Sequence, residues 1–116
     1  MAFVIACVSH KAGRGKTSVA QAIAVKLALS GASVKIFDND NAAGSNRIWA
    51  KRRKEAGIKP TIPVSFCDTV GDVGAQQAGF EYIVLDIDTF STEFRGGVKP
   101  FADLIILLTY AREEDV

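Results

Sequence analysis

One stretch near the start places basic, hydroxyl and glycine residues at a spacing suited to phosphate chemistry. Val8-Ser9-His10-Lys11-Ala12-Gly13-Arg14-Gly15-Lys16-Thr17-Ser18 follows an apolar run, Ala2 to Val8, and opens into a segment with helical spacing, Thr17 to Leu29. Glycines at 13 and 15 let the backbone curl so that successive N–H groups point inward. A helix beginning near Lys16 aims its partial positive end at the same spot, and together these make a cradle for phosphate oxygens. In such a loop Lys16 reaches the β- and γ-phosphates and the Thr17 hydroxyl ligates Mg²⁺. The strict phosphate-loop pattern opens with a glycine where this chain has His10, so its first position is broken while the Gly-Lys-Thr half is intact. The competing reading is an ordinary strand-to-helix turn with a solvated lysine. The apolar strand before, the helical pattern after and the hydroxyl directly behind Lys16 weigh against it.

Two acidic clusters belong with that loop. Tyr82-Ile83-Val84-Leu85-Asp86 is an apolar strand ending in a carboxylate, the form that holds Mg²⁺ through water in phosphoryl-transfer proteins. A strand-end Asp also serves as a plain cap, and Asp88-Thr89 offers a second register; Asp86 is favoured because it ends the apolar run. Phe37-Asp38-Asn39-Asp40-Asn41 sets two more acids at the end of another strand pattern, in what reads otherwise as a polar turn.

The elements that must position these groups alternate along the chain. Val19, Ala20, Ile23, Ala24, Leu27 and Ala28 fall at helical spacing, and Gly31 follows as a C-terminal glycine. A strand is expected over Ser33 to Asp38, a polar turn over Asn39 to Ser45, and a helix over Asn46 to Ala56 ended by Gly57. Pro60 and Pro63 precede a short strand, Val64 to Cys67, and a weak helix, Val70 to Ala78, contains Gly71 and Gly74. Glu81 to Asp86 and Asp103 to Leu108 read as buried strands, with Thr89 to Phe101 between them partly helical around Gly96-Gly97. Strands separated by crossovers of this length return in parallel. The expected fold class is therefore α/β, a doubly wound parallel sheet with helices on both faces, in one domain over residues 1–116. Ligands in such sheets bind at the carboxyl ends of the strands, where the loop after Val8 and Asp38, Asp40 and Asp86 all fall.

Lys11-Ala12-Gly13-Arg14-Gly15-Lys16-Thr17 resembles the deviant Walker A signature, Lys-Gly-Gly-x-Gly-Lys-Thr/Ser, of the ParA/MinD ATPases, which position plasmids, chromosomes and division machinery. Ala12 departs from that signature. Asp38 and Asp40 match the family's Asp-x-Asp-Pro-Gln switch, with Asn41 and Ala42 in place of Pro-Gln, and Trp49 stands where a tryptophan often sits in the second helix. The resemblance implies an ATP-binding, Mg²⁺-dependent P-loop ATPase that works as a nucleotide-dependent homodimer, with a ParB-like activating partner and non-specific DNA as a surface. It implies that residues 11 to 18, namely Lys11, Ala12, Gly13, Arg14, Gly15, Lys16, Thr17 and Ser18, bind the nucleotide. Lys11 would reach the partner subunit's phosphates, Asp38 would support the Mg²⁺ shell with Thr17 and Asp86, and Asp40 would position the attacking water. Members of the family run well beyond this length. The chain thus looks like an N-terminal half, incomplete at its C-terminus, and either a fragment or a small natural derivative.

With 116 residues, 48% apolar and 23% charged, the composition is that of an ordinary globular domain. A net charge of +1 points to neither nucleic acid nor membrane. Local charge is concentrated in Arg47, Lys51, Arg52, Arg53 and Lys54, which reads as a solvated helix face or, alternatively, a track for DNA phosphates. Cys7 and Cys67 lack metal-ligand spacing and fit free thiols in a reducing cytoplasm. No basic residues precede the first apolar run, as an export signal would need, and no stretch reaches the roughly eighteen apolar residues of a membrane span. Two other activities fit the scaffold: a nucleotide-binding module without turnover, and an iron–sulfur electron carrier. The latter wants a cysteine after Asp86, and none follows.

Overall fold

The computed structural model describes residues 2–9, 16–39, 44–68, 70–88 and 101–108. Five strands, β1 (Phe3–Ser9), β2 (Val34–Asp38), β3 (Val64–Phe66), β4 (Tyr82–Asp88) and β5 (Leu104–Leu108), alternate with α1 (Lys16–Leu29), α2 (Ser45–Glu55) and α3 (Val70–Gln76). The strands form one sheet in the order β3-β2-β4-β1-β5, and every pairing is parallel. The expected α/β class is the one observed.

Chain direction explains which helix takes which face. From β1 the chain steps to β2 and then β3, moving one way across the sheet, and then reverses to reach β4. A right-handed crossover that reverses direction must pass on the opposite face. Accordingly α1 and α2 pack with Cys7, Val34, Ile36 and Val84 on one side, and α3 packs through Val73 against Val4, Ala6, Phe37, Ile83 and Leu85 on the other. Strand period supplies the two faces: Ile83, Leu85 and Ile87 point to the α3 side, and Val84 points to the α1 side.

Helix α1 approaches the sheet through small side chains. Ala20 and Ala24 are wholly buried, and Lys16 lies one turn before them on the same stripe. Both α1 and α2 end in Schellman motifs. The Ala32 N–H donates to the Leu27 carbonyl and Gly31 to Ala28, while Ile58 donates to Arg53 and Gly57 to Lys54. Gly31 and Gly57 adopt φ of 98° and 71°, as their places in the sequence predict.

Three expectations need correction. Strand β4 runs two residues beyond Asp86, because Asp86, Ile87 and Asp88 stay paired with Cys7, Val8 and Ser9 of β1. The weak helix is about two turns long and stops at Gln76 rather than Ala78. The strand expected over Asp103 to Leu108 forms as β5 but is not buried: Leu104, Ile105 and Leu107 are exposed. It is an edge strand paired only with β1 among the described residues, so its apolar composition reflects strand formation more than enclosure. Its start is pinned to β1, where the Val4 N–H donates to the Asp103 carboxylate and the Asp103 N–H to the Val4 carbonyl. The partly helical segment expected before Phe101 lies outside the described residues. Among the described residues, no helix is long and apolar enough to cross a membrane.

Candidate functional site

Strand register assembles a row of polar groups at the carboxyl edge of the sheet. Asp86 of β4 pairs with Asp38 of β2 on one side and with Cys7 of β1 on the other. All three share the α1 face, one step beyond the hydrophobic row of Ile36, Val84 and Ile5. The N-terminal turns of α1 and α2 close over this row, and each supplies polar side chains to it.

From α1, the Lys16 ammonium lies 3.0 Å from Asp86 Oδ1, and the Thr17 hydroxyl donates to Asp86 Oδ2 at 2.8 Å. Lys16 is 7% exposed and Asp86 4%, so the ion pair sits in a poorly hydrated place where an unmatched charge is costly. From α2, the Asn46 amide donates to Asp86 Oδ2 at 2.8 Å and to Asp38 Oδ2 at 3.2 Å. Its carbonyl accepts from the Gln21 amide of α1 at 3.0 Å. That last bond fixes which way the Asn46 amide faces, since its oxygen must meet a donor and its NH₂ the carboxylates. Neither helix has an acidic residue in its first turn, so Asp38 and Asp86 supply the negative charge that two helix N-termini favour.

The thiols beside this row are buried, which disfavours their thiolate forms. Burial, with the nearby Asp86 carboxylate second, pushes Cys7 up to about 11; burial, with Asp38 next, pushes Cys67 up to about 12. Both are free.

Of the residues singled out in the sequence, the structure brings together Lys16, Thr17, Asp38 and Asp86. Ser18 is exposed on α1 and stands apart from the row. Lys11, Ala12, Gly13, Arg14, Gly15 and Asp40 lie outside the described residues. Asn46 and Gln21 join the network without having been expected. The only signal for Asn46 was a polar residue opening a helix directly after the Asp38 strand. The basic run on α2 is divided: Lys51, Arg52 and Lys54 are exposed, while Arg53 stacks over the Trp49 ring at 5.2 Å and donates to the Pro60 carbonyl.

The atoms of this row able to ligate a cation are the carboxylate oxygens of Asp38 and Asp86 and the Thr17 hydroxyl, a hard set that suits Mg²⁺ over softer metals. Among the described residues no cluster of three or more His, Cys, Asp or Glu side chains is placed to hold a metal by itself.

Searches with sequence families and with curated proteins find no match. Among solved structures, the chain resembles the crystal structure of a plasmid partition protein from Borrelia burgdorferi, with a TM-score of 0.73 over 97% of this chain and 68% of that one, at 16% identity. At that identity the likeness establishes the fold.

Proposed function

We propose that this chain is a P-loop nucleotide-binding module of the partition type, binding Mg²⁺-ATP at the row formed by Lys16, Thr17, Asp38 and Asp86. The observation that carries the proposal is the convergence of Lys16 and Thr17, from the first turn of the helix after β1, on the buried Asp86 of the adjacent strand. A lysine and a hydroxyl side by side at a helix N-terminus, facing a strand carboxylate, are the parts needed to neutralise phosphate and to hold a hydrated cation. The fold shared with a plasmid partition protein supports a role in DNA segregation.

In this reading Lys16 exchanges its ion pair with Asp86 for the β- and γ-phosphates. The loop residues Lys11, Ala12, Gly13, Arg14 and Gly15 contribute backbone N–H groups. Thr17, Asp86 and Asp38 are the residues that would hold Mg²⁺, which would supply charge screening to the phosphoryl oxygens. Asp40 orients the attacking water, and Lys11 reaches across an ATP-dependent homodimer to the partner's nucleotide. A ParB-like activator and non-specific DNA are the accompanying partners, and the setting is the cytoplasm.

Lys11 is the discriminating residue. With Mg²⁺ and a non-hydrolysable ATP analogue, light scattering should show the native chain as a dimer. Lys11→Ala should still bind the analogue but remain monomeric, because Lys16 and the loop amides persist while the interface loses its compensating charge. Equal dimerisation of the two would remove the partition-type mechanism. Mg²⁺-ATP binding without phosphate release would reduce the assignment to a nucleotide-binding module without turnover.

A further inference from the structure

Asn46 is buried to 2% exposure, joins both carboxylates and a glutamine from another helix, and has no part in the reaction outlined above. Its two N–H bonds are both spent, one on Asp38 and one on Asp86. Asp86 Oδ2 is full, both of its lone pairs accepting, from Thr17 and from Asn46, whereas Oδ1 makes only the ion pair with the Lys16 ammonium. A hydrated divalent cation held by this pair must offer its own water hydrogens to the same carboxylate oxygens. Thr17 can keep donating to Asp86 while a lone pair of its hydroxyl faces the cation. The Asn46 amide bridges the Oδ2 atoms of the two carboxylates, so it competes for those atoms with the water shell of a cation held between them.

The backbone around Asn46 makes such a displacement consequential. The N-cap of α2, Gly44, offers no side-chain cap, and Asn46, the second residue of the helix, supplies polar anchorage to its start. Trp49 follows three positions later, packed against the α1-side core. We propose that Asn46 is a positioning residue that couples filling of the Asp38–Asp86 pair by a divalent cation to a shift of α2. In the cation-free state its amide holds the two carboxylates together and fixes the start of α2 against Gln21 of α1; when the cation enters, the amide is released and α2 with it. This inference rests on the Mg²⁺ role assigned above to Asp38 and Asp86, and extends it to the helix that follows the second strand.

Trp49 is the sole tryptophan and lies on α2, so its emission reports the helix directly. Mg²⁺, with and without a non-hydrolysable ATP analogue, is titrated into the full chain while binding is followed by calorimetry and Trp49 by fluorescence. The native chain should show an emission change that tracks occupancy along one curve. Asn46→Leu, close in volume but without the amide, should bind Mg²⁺ about fivefold more tightly, having lost a competing hydrogen bond, and should give no emission change on binding. Asn46→Ala serves in the same way if the leucine variant does not fold, as judged by circular dichroism. Mg²⁺ binding to the native chain with Trp49 emission unmoved would overturn the coupling and leave the site assignment standing, as would a full emission response in either variant. Absence of Mg²⁺ binding to the native chain, even with nucleotide, would bring down the site assignment and the coupling with it.

Discussion

Lys16 has two claims on its charge, and the structure shows one of them. Its ammonium balances Asp86 inside a pocket that water barely reaches, so removing it does two separable things. Lys16→Ala should weaken nucleotide binding by more than about tenfold, the scale of 2 to 4 kcal/mol for a charge-assisted phosphate contact. It should also destabilise the nucleotide-free chain by about 3 kcal/mol, because Asp86 is left buried without its cation. Thr17 and Asn46 still donate to Asp86, which keeps the loss toward the lower end of what breaking a buried pair costs. Urea denaturation without nucleotide measures the second effect, and ATP titration well below the denaturation midpoint measures the first. An unchanged urea midpoint would mean that the ion pair contributes nothing to the resting fold.

At the scale of elements, helix ends are where sequence and backbone correspond most directly. Gly57 sits at φ 71° with open space where a Cβ would go, so the cost of a side chain there is purely conformational. Gly57→Ala should therefore lower stability by about 1 kcal/mol without altering the site, and thermal melting with intact nucleotide binding is the check. The same reasoning holds for Gly31 at the end of α1, where φ is 98°. β5 teaches the opposite lesson. Its Leu-Ile-Ile-Leu-Leu sequence is that of a doubly covered parallel strand, yet three of its side chains are exposed, because covering depends on what packs over the faces of the strand and not on its own composition.

For the whole molecule, the buried thiols tie global stability to alkaline pH. Cys7 and Cys67 have folded-state values raised from 9.0 to about 11 and about 12, chiefly by burial. The unfolded chain ionises first as pH rises, so the native state holds more protons above pH 9 and loses stability there. The contribution is complete below pH 9 and drains away between 9 and the folded values, at about 1.4 kcal/mol per pH unit for each thiol. Between pH 8 and 10 the urea-derived stability should fall by about 3 kcal/mol more in the native chain than in the Cys7→Ala/Cys67→Ala double variant. Identical pH profiles would show that the thiols ionise freely in the fold. The same burial predicts that neither thiol reacts with an alkylating reagent at neutral pH until denaturant is added.

The residues that sequence alone placed correctly are those whose role is local. Lys16 and Thr17 follow a strand and open a helix, Gly31 and Gly57 end helices, and apolar runs make the strands; each depends on neighbours within a turn or a pleat. The class of the fold followed from the same local signals, since only parallel pairing accommodates strands joined by crossovers of that length. Tertiary structure alone decided that Asp86 is a neighbour of Asp38 and Cys7, that β5 leaves three side chains exposed and that α3 takes the face opposite α1. It also decided that Asn46 and Gln21 belong to the carboxylate row. A buried amide takes its partners from wherever the chain brings donors and acceptors together, here α1, β2 and β4, and no periodicity in one segment records a contact shared among four.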